Sequence, residues 1–367
     1  MQLIEFTEKG LFCRAGNFYI DPWQPVDHAV ITHAHSDHAK WGSKNYLCHT
    51  LCRPLLQARL GDNHYETLEW NETKNINGVT VSLHPAGHII GSSQIRVEYN
   101  GEVWVASGDY KVADDGLSGT FEPVRCHAFI TESTFGLPIY CWKDQEIIFE
   151  NMRDWILANK ALNKASIIIA YSLGKAQRVL KALEHFDEII YMHGATYNMH
   201  QALINANIPL PKINAERVTP ETPKEKLKAC IVIAPPGADG SPWLKRFSPY
   251  AIGVCSGWMQ VRGNVRRKNV DGAFALSDHA DWNGLLQAIK ETGAEKVYVT
   301  HGYQSVFSRY LNEQGIWSAE VKTEYGTEDE EAPPGLPGGE EKEEAPYNIS
   351  DLSEMERLDT LNNEDVE

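Results

Sequence analysis

The sequence predicts an α/β protein that combines two kinds of sheet, and two stretches carry that prediction. Residues 79–106 read as antiparallel strands, Val79 to Leu83, Gln94 to Tyr99 and Glu102 to Ala106, with the hairpin dipeptide Asn100-Gly101 joining the second and third. Residues 144–260 instead alternate helices with short apolar runs, the spacing of βαβ units and of a parallel sheet with helices on both faces.

Each element follows from its local pattern. Ala29-Val30-Ile31-Thr32 is a short, mostly apolar strand. Ile147, Ile148, Met152, Trp155 and Ile156 form a helical stripe, followed by the buried run Ser166 to Ala170 and a helix from about Lys175. Strands are expected at Glu188 to Met192, Cys230 to Ala234 and Tyr250 to Cys255. After residue 270 the pattern is strand 272–276, helix 282–292, strand 296–300 and helix 304–314. From Thr327 onward the chain holds Pro333-Pro334-Gly335-Leu336-Pro337-Gly338-Gly339 and acidic clusters, too few apolar side chains to offset ordering entropy. That tail is expected to be disordered, apart from a short helix near 350–362.

The 367 residues suffice for one large domain or two ordinary ones, and 42% apolar with 23% charged residues fits a globular protein with a sizeable core. There is no apolar run of about 18 residues, so no membrane helix is expected. Met1 to Phe6 lacks a basic, then apolar, leader, so no signal peptide is expected either. The seven cysteines are scattered without a CxxC, which fits reduced thiols and a cytoplasmic location. The net charge of −16 is concentrated in residues 327–367, where 15 acidic and 2 basic side chains leave the remainder at only −3. Charge therefore neither supports nor excludes a polyanionic ligand.

The chemistry-bearing cluster is His33-Ala34-His35-Ser36-Asp37-His38, directly after the strand ending at Thr32. Three imidazoles and a carboxylate in six residues need compensation if they face inward, and a divalent cation supplies it. Three further strand ends present ligand-type residues beside small ones: His84-Pro85-Ala86-Gly87-His88, Ser107-Gly108-Asp109 and Thr300-His301-Gly302.

With these motifs the chain resembles the metallo-β-lactamase superfamily, whose signature is HxHxDH followed by later His, Asp and His ligands, and within it the β-CASP nucleases. Thr131-Glu132-Ser133-Thr134-Phe135 is similar to the family's acidic motif. Ser172-Leu173-Gly174-Lys175-Ala176-Gln177 and Cys255-Ser256-Gly257-Trp258-Met259 resemble segments of its inserted domain, and Leu276-Ser277-Asp278-His279-Ala280-Asp281 and Thr300-His301-Gly302 its two late motifs. The resemblance spans roughly residues 20–325, and the stretch from Leu276 to Gly302 resembles the bacterial ligase-associated DNA exonucleases in particular.

The resemblance implies an αββα sandwich, residues 1–138 and 271–326, interrupted by a β-CASP domain at 139–270, with the tail at 327–367. It implies two metals, His33, His35 and His88 on one, Asp37, His38 and His301 on the other, Asp109 bridging, and Asp27 orienting a ligand imidazole from behind. Zinc is the default from the ligand types, and manganese also occupies such mixed sites. His279 is expected as the general acid, with Glu132 on its other ring nitrogen and Asp37 counted with them as catalytic. Ser172 and Lys175, where strand meets helix, are candidate contacts to a nucleic-acid backbone.

The implied partner is nucleic acid, DNA ahead of RNA, with a DNA ligase or helicase of the same pathway and no membrane. His301 pulls the other way, because RNA-cleaving members carry histidine there, so RNA processing stays open. A small-molecule hydrolase on the same scaffold is disfavoured by the inserted segment and the Glu132–His279 pairing, and a dead scaffold by the filled ligand positions.

Overall fold

The computed structural model describes residues 2–268 and 270–325, so the acidic stretch 327–367 lies outside the described residues. The N-terminal part folds into two sheets packed face to face. The first is β1 (Glu5–Thr7), β2 (Gly10–Cys13), β3 (Phe18–Ile20), β4 (His28–Val30), β5 (Asn45–His49) and β6 (His64–Leu68), in that order. The second begins with β7 (Thr73–Ile76), β8 (Val79–Pro85), β9 (Ser93–Tyr99), β10 (Glu102–Ala106) and β11 (Ala128–Ser133). Alternation along β9 turns Ile95 and Val97 into the core and leaves Arg96 and Glu98 half-buried. Val30, Leu47 and Leu68 from the first sheet meet Val81, Val97 and Trp104 from the second, the apolar layer that holds the two together.

The chain then leaves this sandwich for a third, wholly parallel sheet. Its strands are β12 (Ala165–Ile169), β13 (Ile189–Met192), β14 (Asn214–Arg217), β15 (Ile231–Ala234), β16 (Tyr250–Cys255) and β17 (Gly272–Phe274), in spatial order β14-β13-β15-β12-β16-β17. Helices α2 (Gln145–Ala161) and α3 (Lys175–Ala182) cover one face through Ile148, Met152, Val179 and Leu180. Asp144 starts α2 by accepting the Glu146 N–H at 2.8 Å.

Helices on both faces were expected, but the other face is sealed mainly by short 3₁₀ turns carrying Leu244, Phe247 and Trp258 and by loop chain carrying Tyr140. Prolines 220, 223, 235, 236, 242 and 249 explain the difference, since each removes a backbone donor and restrains the residue before it. The last strand of this sheet, β17, ends at Phe274 and pairs in parallel with β16.

The chain returns to the second sheet with β18 (Lys296–Gly302) and β19 (Ser318–Glu320), which complete the order β19-β18-β11-β10-β9-β8-β7. Helices α6 (Trp282–Thr292) and α7 (Gln304–Glu313) cover its outer face through Leu285, Ile289, Phe307 and Leu311. On the first sheet's outer face lie α1 (Arg53–Leu60) and Leu203 of α4 (Gly194–Asn205). The sandwich is therefore helix, sheet, sheet, helix. A short α5 (Arg262–Lys268) carries the basic Arg262, Arg266, Arg267 and Lys268. Among the described residues, no helix is long and apolar enough to cross a membrane.

Candidate metal centre

Strand ends converge on one point. The turn after β4 carries His33 to His38, the loop after β8 carries His88, the loop after β10 carries Asp109, and β18 itself carries His301. Strands β10, β11 and β18 are adjacent and parallel, so their C-terminal ends open on the same edge of the sheet.

The Asp109 carboxylate stands between two groups of imidazoles. Oδ2 lies 3.5 Å from His33 Nε2 and 3.7 Å from His88 Nε2, and His88 Nε2 lies 3.1 Å from His35 Nδ1. Oδ1 lies 2.9 Å from His301 Nε2 and 3.5 Å from His38 Nε2, which is itself 3.6 Å from Asp37 Oδ2. Ligand-type atoms of His33, His35, His88 and Asp109 all fall within 4.8 Å of one another, as do those of His38, Asp109 and His301.

Each imidazole is held from behind by its other nitrogen. His33 Nδ1 is 3.0 Å from Thr32 Oγ1, His38 Nδ1 2.8 Å from Asp21 Oδ2, and His301 Nδ1 3.2 Å from Thr300 Oγ1. His88 Nδ1 is 2.9 Å from the Asp278 carbonyl and His35 Nε2 is 3.2 Å from the Leu173 carbonyl. The nitrogens left facing inward include His33 Nε2 and His38 Nε2, both buried without a hydrogen-bond partner. A buried imidazole nitrogen with no partner is costly unless its lone pair is taken up, by a metal ion or, failing that, by a proton. The residues present therefore fit divalent metal.

Electrostatics agree. Burial, with His38 as a charged neighbour, pushes His33 well below the ordinary imidazole value, and burial with His279 does the same for His88. Both are thus neutral donors, the form that binds metal. Burial raises Asp109, but His38 and His301 outweigh it and hold the carboxyl well below its usual range. Burial also opposes charge on His38, yet Asp109, Asp37 and Asp21 together push its pKa up to about 10. In the metal-free protein one proton thus stands where positive charge is wanted.

Beside this cluster, His279 Nδ1 lies 2.9 Å from Glu132 Oε2 and 3.1 Å from Oε1, and its ring packs on His88 at 4.6 Å between centroids. Glu132 also accepts the Tyr110 N–H at 2.7 Å, which fixes the carboxylate from a second side. Asp281 caps α6 by accepting the Gly284 N–H at 2.8 Å on Oδ1, while Oδ2 accepts the Trp142 N–H at 2.9 Å and ties the chain leading into α2 to the start of α6.

Two expected residues are placed elsewhere. Asp27 does not stand behind a ligand imidazole: its side chain is 67% exposed and pairs with Lys44 Nζ at 2.6 Å. Asp21 takes that position, buried and accepting the Thr32 N–H at 2.7 Å as well as bonding His38. Asp27 precedes β4 on the solvent side, whereas Asp21 sits in the turn after β3, a left-handed residue at φ 43° that feeds straight into the sandwich. Lys175 is wholly buried, its Nζ 3.9 Å from Asp278 Oδ2 and 4.6 Å above the Tyr171 ring, so it is an internal counter-ion and not a surface contact for a polyanion. Ser172 is half-buried, with its hydroxyl 3.2 Å from Thr196 Oγ1. Beyond Asp21, sequence reasoning missed Thr32, Thr300, Arg178 and Tyr325. Threonines immediately before His33 and His301 were the one signal available.

No family model matches the chain. A protein of Opitutus terrae named a probable DNA ligase is 27% identical over 311 residues, covering 84% of this chain and 30% of that protein. An RNase J-like protein of Methanocaldococcus jannaschii is 24% identical over 353 residues, 77% of this chain and 83% of that protein. Cleavage and polyadenylation specificity factor 73 of Drosophila melanogaster is 28% identical over 125 residues, 33% of this chain and 18% of that protein. The chain thus spans under a third of the Opitutus protein and under a fifth of the Drosophila one. Among solved structures, a protein of unknown function from Enterococcus faecalis superposes with a TM-score of 0.57 at 13% identity, over 82% of this chain and 80% of that one, a likeness of fold alone.

Proposed function

Because the chain belongs to the β-CASP nucleases of the metallo-β-lactamase superfamily, we propose that it is a two-metal nuclease that hydrolyses phosphodiester bonds, with DNA ends as its substrate. The observation that carries this reading is the single carboxylate of Asp109 flanked by two imidazole groups, with the His279–Glu132 pair beside them. One cation would be held by His33, His35 and His88, a second by Asp37, His38 and His301, with Asp109 shared. Bound divalent ions, zinc by donor type, would supply charge against the phosphate oxygens and acidify an attacking water.

The chain's own groups do the rest. Glu132 fixes the His279 ring through Nδ1, which directs the other nitrogen to donate a proton to the leaving oxygen. Asp21, Thr32 and Thr300 keep the ligand rings in place, so little reorganisation is needed when substrate binds. Ser172, in the turn between β12 and α3, is the candidate contact to the sugar–phosphate backbone.

The relative named a DNA ligase supports a DNA substrate and a working association with a DNA ligase in the same repair pathway. The RNase J-like relative, matched over most of its own length, supports RNA as the alternative. The deciding experiment is to measure bound metal, then offer end-labelled DNA and RNA, single- and double-stranded, with 5′-phosphate or 5′-hydroxyl ends. Stepwise shortening of DNA with RNA left intact is expected. RNA cleavage with DNA intact overturns the DNA reading, and no cleavage of either by metal-loaded protein overturns the nuclease reading.

A further inference from the structure

Arg178, on α3 of the inserted segment, is buried beside the metal cluster. Its Nη1 donates to Asp278 Oδ1 at 2.7 Å and to the Ser277 carbonyl. Nε and Nη2 both reach Gln145 Oε1, at 3.0 and 2.8 Å, and Nε lies 3.8 Å from Asp115 Oδ2. Each guanidinium nitrogen therefore meets a carboxylate, amide or carbonyl oxygen, the fork geometry that lysine cannot reproduce.

The grip falls on a peptide that serves the site twice. The Asp278 carbonyl orients His88 through Nδ1, and the next residue is His279, held to Glu132. The loop leading into α3 reaches the cluster independently, where the Leu173 carbonyl meets His35 Nε2 at 3.2 Å. Gly174 lets that loop come so close. At φ 87° a Cβ there would stand 2.3 Å from Ile89 Cγ2, beside His88. A buried ion pair is by itself weak evidence for stability, but this one ends on the Ser277 carbonyl and the Asp278 carboxylate, on the same residue whose carbonyl orients His88.

We infer that Arg178 is a positioning residue, which fixes Ser277 to His279 so that His88 faces the metal and His279 faces the leaving group. The second half of this statement rests on the nuclease reading; the first does not.

The test uses the full chain as Arg178→Met, Arg178→Lys and Asp278→Asn, with folding checked by circular dichroism and unfolding midpoint. Zinc affinity is read by chelator competition, the visible spectrum after cobalt substitution, and kcat and KM on the labelled DNA and RNA above. Folded Arg178→Met is expected to bind zinc about 10–100-fold more weakly and to lose kcat by a similar factor. Its cobalt spectrum should shift and its KM should barely change, while Arg178→Lys recovers part of each loss. Wild-type zinc affinity and cobalt spectrum in folded Arg178→Met overturn the inference. If that variant does not fold, unchanged zinc affinity in both Arg178→Lys and Asp278→Asn overturns it instead. Should the wild-type protein cleave neither substrate, the nuclease reading fails while the zinc comparison still judges Arg178.

Discussion

The ring of Tyr325 stacks on the imidazole of His38, with centroids 4.4 Å apart and planes 9° from parallel, and it meets His301 edge-on at 5.7 Å. It is only 8% exposed and meets Trp23 edge-on at 5.6 Å. Two rings of the cluster are thus restrained by an aromatic side chain as well as by their hydrogen bonds. An aromatic pair of this kind is worth about 0.5–1.5 kcal/mol beyond area burial. Tyr325→Ala should therefore weaken metal binding by roughly 2–12-fold, with Tyr325→Phe close to wild type. Chelator competition on the three proteins decides it, and equal affinities would remove the role.

Asp21 and Asp27 offer a paired comparison. Asp21→Asn removes the carboxylate behind His38 Nδ1 and should lower metal affinity by about 10–100-fold, as loss of an outer hydrogen bond does elsewhere. Asp27→Asn loses only a solvent-exposed pair with Lys44 and should change neither metal content nor activity. The reverse ranking would restore Asp27 to the place expected from sequence.

Metal uptake should release a proton. The His38 pKa in the metal-free fold, about 10, lies above its ordinary value, so the stabilisation from its proton is complete below about pH 6.5 and lost as pH rises towards 10. A cation displaces that proton at neutral pH, whereas the depressed His33 and His88 have none to lose. Titration calorimetry at pH 7 in buffers of different ionisation enthalpy should report net proton release, and affinity should climb between pH 6.5 and 9. Buffer-independent heats would contradict the charge state assigned to His38.

Separating chemistry from metal holding requires His279→Ala and Glu132→Gln. Both should keep close to wild-type metal content while kcat falls by about 10²–10⁴ for His279→Ala and less for Glu132→Gln. Loss of metal together with rate in His279→Ala would make it a ligand and not a proton donor.

Gly302 follows His301 at φ 86°, and a Cβ there would stand 2.3 Å from the Ser133 carbonyl oxygen and 2.5 Å from Thr134 Cα. Backbone on β11 cannot swing aside as a flexible side chain would. Gly302→Ala should cost about 2–4 kcal/mol of stability, combining positive-φ strain with overpacking, and displace His301. Urea unfolding followed with metal present and absent measures both effects; an unchanged midpoint would show that β18 can yield.

The six residues from His33 to His38, with His88, Asp109 and His301, stood out along the chain because each follows or ends an apolar run that must be a strand. Hydrophobic periodicity and ligand-type residues are local properties, so the strands from β8 to β10, helices α2, α6 and α7 and the candidate ligands were all readable without coordinates. The short β1 to β3 and β5 to β7 were not, because strands of three to five residues are too short to show a period of their own. Nor could any local pattern choose Asp21 over Asp27, bury Lys175, or bring Arg178 to Asp278 across 100 residues and Tyr325 onto His38. Those choices depend on which groups lose water together when sheets and inserted segment close on one another, and desolvation belongs to the packed molecule rather than to any stretch of its chain.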